Sequence, residues 1–121
     1  MIPRRKTKVE PPPGPCPLKT CMNILGGAWT PNIIWYLSKA PRRFSELKDD
    51  LNGVSAKMLT TRLKGLEREG VVIRKVVPTS PPTVEYSLSP LGLELKPAIE
   101  AIVSVGHKLK LQQRQQEALA E

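Results

Sequence analysis

The sequence predicts an α+β, mainly helical fold: a winged helix-turn-helix with an extra helix before it and a long one after it. Three observations carry that expectation. Apolar residues recur at helical spacing in successive segments up to Gly70, each bounded by a cap, a proline or a glycine. The period then changes to strand-like in VVIRKVV and VEYSLS, on either side of the Pro-rich PTSPPT. Finally, FSELKDDL and SAKMLTTRLKGLE are joined by a turn only a few residues long.

Residues 1–15 hold Arg4, Arg5, Lys6 and Lys8 followed by a run of prolines, a composition that reads as a flexible basic arm. Order is expected from 16 to 107, with 108–121 forming the frayed or interface-bound end of the last helix. In CPLKTCMNILGG, Pro17 suits a first helical position, Leu18, Cys21, Met22 and Leu25 share a face, and Gly26 and Gly27 stop the helix. In WTPNIIWYLSKAP, Thr30 is the expected N-cap, Ile33, Ile34 and Leu37 the apolar set, and Pro41 the stop. Ser45 is the expected cap of a short third helix carrying Leu47 and Leu51, and Asn52 with Gly53 makes the turn. Ser55 caps the fourth helix and Gly70 supplies its left-handed end. A hairpin follows, with Val84, Tyr86 and Leu88 alternating with polar residues. Ser89 and Pro90 then open a long helix striped by Leu91, Leu95, Ile99, Ile102 and Val103, which Pro97 is placed to bend.

A chain of 121 residues suits one domain with one core, and a net charge of +8 favours a polyanionic partner such as nucleic acid. A generic basic surface is the plain alternative. No apolar run approaches the roughly 20 residues of a membrane span, and the N-terminus lacks a signal peptide's apolar centre, so a soluble, cytoplasmic protein is expected. Cys16 and Cys21 are too few for a disulfide framework and read as free thiols.

The fourth helix has two distinct sides. With Leu59 set at zero on a helical wheel, Leu63 and Leu66 fall within about 40° of it, whereas Lys57, Thr61, Lys64 and Arg68 fall between about 140° and 200°. Thr60 flanks that row, and Ser55 and Ala56 are small enough to let the N-terminus approach a phosphate. A helix of this kind fits the major groove of duplex DNA, where Lys and Arg reach base edges and hydroxyls reach phosphates or thymine methyls. Arg42 and Arg43 are placed for phosphate contacts, and Thr79, Ser80 and Thr83 in the hairpin loop can add modest backbone contacts. A solvated face, with Arg68 paired to Glu67 or Glu69, is the alternative for the same residues.

These motifs in series, from Cys16-Pro17 through Gly26, Gly27 and Trp29, RRFSEL at Arg42 to Leu47, SAKMLTTRLKGLE, and VEYSLSPLG at Val84 to Gly92, resemble the HxlR-type winged helix-turn-helix regulators, relatives of the MarR group. The resemblance implies a bacterial or archaeal type of homodimer in which the first and last helices are dimerisation helices. It also implies a recognition helix in each major groove of a pseudo-palindromic operator. Leu109 and Leu111 extend the final stripe beyond the needs of one small core, in keeping with a second copy. The basic Pro-rich arm is a departure from the family pattern.

In a subset of that family the cysteine of the Cys-Pro opening senses electrophiles or oxidants, and Cys16 stands there. Its position at a helix start, one turn from Lys19, favours the thiolate. Cys21 is expected in the core, and His107 at the surface or an interface. Trp29, Trp35, Tyr36, Phe44 and Tyr86 read as core packing, with a small-molecule effector pocket at the dimer junction the alternative. No phosphate loop, paired carboxylates, nucleophile motif or metal-ligand spacing is present, so neither an enzyme nor a cofactor is expected. The reading is a sequence-specific, double-stranded-DNA-binding homodimeric repressor, responsive to oxidants or electrophiles through Cys16. A winged-helix module whose basic face meets an acidic protein is the alternative.

Overall fold

The computed structural model describes residues 9–10, 13–14 and 17–120; Cys16 and most of the expected basic arm lie outside them. The elements run α1 (Pro17–Leu25), α2 (Thr30–Leu37), β1 (Arg42–Arg43), α3 (Phe44–Asp50), α4 (Ala56–Arg68), β2 (Val72–Val77), β3 (Thr83–Leu88), α5 (Pro90–Glu94) and α6 (Lys96–Ala120). The three strands form one antiparallel sheet in the order β1-β3-β2, with Val72 opposite Leu88 and Val77 opposite Thr83. This is the expected winged helix-turn-helix: α3 and α4 are the motif pair and β2–β3 the wing. Among the described residues no helix is long and apolar enough to cross a membrane.

The core gathers one apolar face from each central element. Ile33, Ile34 and Leu37 of α2, Leu47 of α3, and Leu59, Leu63 and Leu66 of α4 are buried with Leu51, Val54, Val71, Val72, Leu88 and Ile99. Trp29, Trp35, Tyr36, Phe44 and Tyr86 are half-buried against it, as packing residues. Leu63 is almost fully enclosed, so Leu63→Ala should cost about 2–5 kcal/mol of stability, read as a lower urea midpoint at unchanged m-value.

Local chemistry explains the boundaries, including those that differ from expectation. Ser55 caps α4 as predicted, its Oγ accepting the Met58 N–H at 3.0 Å, and Gly70 ends it at φ 77°. Thr30 is not the cap of α2. Trp29 holds that position at φ 72°, Thr30 is the first helical residue and buried, and its N–H donates to the Gly27 carbonyl at 3.1 Å. The ring of Trp29 packing on the core sustains a backbone conformation that its side chain disfavours. Ser45 likewise lies inside α3. The cap is Arg43, whose backbone N–H donates to the Glu46 carboxylate at 2.8 Å, the N3 acid reaching back.

The expected long final helix is two. It breaks at Leu95, and Pro97 starts α6 from its second position, where a missing N–H costs nothing. Ser89 caps α5 by accepting the Gly92 N–H at 3.0 Å while its hydroxyl donates to the carbonyls of Gly70 and Val71, which ties α5 to the end of α4. The stripe is correspondingly divided. Leu95, Ile99 and Val103 meet the core, whereas Leu91 and Ile102 are exposed. Helix α6 continues through the Gln-rich segment to Ala120, passing residue 107 without a break.

The first helix also departs from expectation, since Cys21 is exposed and unpaired and not in the core. Only Ile24 and Leu25 of α1 lean on the body, leaving Leu18 and Met22 in solvent beside Cys21.

Candidate nucleic-acid interface

The outer side of α4 is set by its inner side. Because Leu59, Leu63 and Leu66 are buried, the helical period turns Lys57, Thr61, Lys64 and Arg68 outward, and all four are exposed. Thr60 is half-buried at the edge of the row. Among the described residues no acid pairs with Lys57, Lys64 or Arg68; the ion pairs present are those of Arg42. Arg68 makes no ion pair with Glu67 or Glu69. The Thr61 hydroxyl donates to the Lys57 carbonyl at 2.9 Å, which fixes its rotamer and leaves its lone pairs and methyl facing out.

Each of the other anticipated residues can be placed. Ser55 uses its oxygen in the cap, and its hydroxyl hydrogen at the exposed helix start remains available to a phosphate. Arg42 is committed elsewhere: its Nε and Nη2 donate to the two oxygens of Asp50 at 2.9 and 3.0 Å, and Nη1 reaches Glu46 at 3.5 Å. The hydrogen bond to Asp50 foremost, together with the negative charges of Asp50 and Glu46, raises the guanidinium above its ordinary pKa. Arg42 thus straps β1 to the end of α3, a pairing across eight residues for which helical periodicity offers no signal. Arg43, next to it, has an exposed side chain.

The strand β1 brings these arginines into register with the wing, Arg42 opposite Tyr86 and Arg43 opposite Glu85. Arg74 and Lys75 of β2 stand across β3 at the same two levels. Two rows result, Arg42–Tyr86–Arg74 on one face of the sheet and Arg43–Glu85–Lys75 on the other, and both Arg74 and Lys75 are exposed. At the wing tip the Thr79 hydroxyl donates to the Pro81 carbonyl at 2.8 Å and lies 3.3 Å from the Thr83 hydroxyl, so both side chains are engaged within the loop. Ser80 is exposed.

The structure also holds a residue the sequence reading passed over. Arg62, on the flank of α4, reaches across 34 positions to donate from Nε to the Ala28 carbonyl at 2.9 Å. Only the folded neighbourhood brings that turn alongside.

Comparison with known proteins agrees with this architecture. Residues 24–114 match the family described as HxlR-like helix-turn-helix. Over 95 residues the chain is 38% identical to the HTH-type transcriptional regulator YdeP of Bacillus subtilis, itself uncharacterised, covering 78% of this chain and 74% of YdeP. Among solved structures, a protein assigned to the MarR family of transcriptional regulators in Porphyromonas gingivalis W83 superposes at a TM-score of 0.74 with 39% identity, covering 84% of this chain and 97% of that one. The redox regulator HypR in its oxidised form superposes at 0.73 with 31% identity, covering 77% of this chain and 96% of HypR. The winged helix-turn-helix, the acid-free outer face of α4 and the family match over three quarters of the chain agree: this protein belongs to the HxlR-like helix-turn-helix family of transcriptional regulators.

Proposed function

We propose that the chain acts as a homodimeric repressor that occludes promoter DNA by binding a pseudo-palindromic operator. The observation that carries this reading is the row Lys57, Thr61, Lys64 and Arg68, exposed and free of acidic partners among the described residues, on the second helix of the motif. In the complex these four and Thr60 face the base edges of the major groove. Ser55 and Arg43 take phosphates, Arg42 holds the first motif helix in place, and Arg74, Lys75 and Ser80 follow the backbone beside the wing. Dimerisation falls to α1 and α6, which expose Leu18, Met22, Ile102, Val105, Leu109 and Leu111. Such a protein works where the chromosome is, in the cytoplasm.

Selecting duplexes from a random library with the purified protein tests the reading. A selected site bound about a thousandfold or more tighter than random duplex at physiological salt supports sequence-specific regulation, and equal affinities overturn it.

In this reading Cys16 confers the oxidant or electrophile response, in keeping with the redox regulator HypR among the structural relatives. Diamide should weaken operator binding of the wild type and leave Cys16→Ser unaffected, whereas an equal loss in Cys21→Ser and none in Cys16→Ser would move the response to the exposed thiol of α1.

A further inference from the structure

Arg62 belongs to neither side of α4. It falls about 300° around the wheel from Leu59, roughly 130° from the centre of the basic row, too far round to read bases with its neighbours. Its Nε–H is bonded instead to Ala28, in the turn between α1 and α2. The contact is tight: a Cβ on Gly27 would lie 3.1 Å from Cζ and Nη1 of Arg62 and 3.0 Å from Oγ1 of Thr30. A side chain at 27 would push the guanidinium back from the turn by a few tenths of an ångström.

The turn itself has little freedom. Trp29 is anchored in the left-handed region with its ring on the core, and Thr30 is buried. Beside the bond, α4 and this corner stand apart across a cleft of about 150 Å³ lined by Asn23, Gly27, Thr61 and Gly65 among others. Arg62 spans the gap with a charge-assisted hydrogen bond. The corner it grips is the one from which α1 leaves the body, and α1 is half of the proposed dimer interface.

We propose that Arg62 is a positioning residue for operator recognition, pinning the recognition helix to the α1–α2 corner so that the dimer holds its two recognition helices at one separation. The inference rests on the regulator reading above. A rigid pair of recognition helices senses half-site spacing, because one inserted base pair moves a half-site by about 3.4 Å and rotates it by about 34°. Loosening the pin lets each helix follow its own half-site. Spacing selectivity falls, while the contacts each helix makes with bases stay the same.

The test uses the duplex that the wild type selects from a random library, the same duplex with one base pair added or removed between half-sites, and a single half-site. Arg62→Lys keeps the charge, and hence the phosphate attraction, but loses the Nε donor. It should bind the half-site like wild type while its preference for correct spacing drops about tenfold, the worth of one charge-assisted hydrogen bond. Gly27→Ala, which crowds the guanidinium from the other side, should reduce the same preference, and the double variant should lose no more than either. Val71→Ala, a core cavity that leaves every charged side chain in place, serves as a control for lowered stability.

Unchanged spacing preference in Arg62→Lys overturns the inference alone. So does an equal loss of preference in Val71→Ala, or an Arg62→Gln variant whose salt slope falls by about one for each protomer with spacing preference intact, the mark of a phosphate contact. A wild type that enriches no duplex overturns both the regulator reading and this inference.

Discussion

Lys64→Glu should weaken operator binding by about 2–6 kcal/mol, because a base or phosphate contact is worth about 1–3 kcal/mol and a dimer loses it twice. The size follows from the position of Lys64. It is exposed in the middle of the outward row, with Lys57 and Thr61 on one side and Arg68 on the other, and has no acid partner among the described residues. A carboxylate there would be driven towards the phosphates in the groove. Titrating fluorescent operator at several salt concentrations checks this, and the salt slope should fall by about one for each protomer. Glu67→Gln is the control: Glu67 is exposed on the same helix but lies about 80° from Leu59, away from the row, and should shift affinity by no more than about 0.5 kcal/mol. An unaltered affinity in Lys64→Glu would mean that the row is merely a solvated face.

The two sides of α4 were legible before any coordinates because a 3.6-residue period separates four exposed polar residues from three buried leucines without outside help. Ser55 and Gly70 were equally legible, since each acts on backbone groups within three or four residues of itself. The features that escaped depend on partners distant in sequence. Two residues carry no strand signal, and β1 exists because β3 lies beside it. Trp29 displaces Thr30 as the cap because its ring is held by the core, and Arg42 finds Asp50 only once α3 has turned back. A helical wheel shows that α1 has an apolar face without telling whether that face meets its own domain. Cys21 was placed inward for that reason, although Ile24 and Leu25 alone make the contact and the face around Cys21 is left in solvent.

Ile102→Glu on α6 should convert the dimer to monomer and lower operator affinity by about 10²–10⁴-fold, the avidity that two linked half-site contacts provide. Ile102 is 55% exposed although it lies between Ile99 and Val103, which face the core, so it belongs to a second stripe on the same helix. Val105 and Leu109 continue that stripe, and Ala101 and Gly106 beside them form a shallow apolar hollow that admits a close helix crossing. The helix is 25 residues long, about 37 Å, yet only its first third packs on its own domain. Leu109, Leu111 and Leu119 are exposed along the rest, an arrangement that is stable in water when a second copy covers it. Because Ile102 lies outside the core, the glutamate should leave the thermal midpoint of the domain, at protein concentrations where it is monomeric, within a few degrees of a core-intact monomer. Sedimentation equilibrium reads the mass and operator titration the affinity. A variant that stays dimeric would place the interface elsewhere, whereas a monomer with full operator affinity would show that one reading helix suffices. The combination expected here, loss of mass and affinity together with retained folding and half-site binding, requires that α6 serves to hold two reading faces at the spacing of one operator.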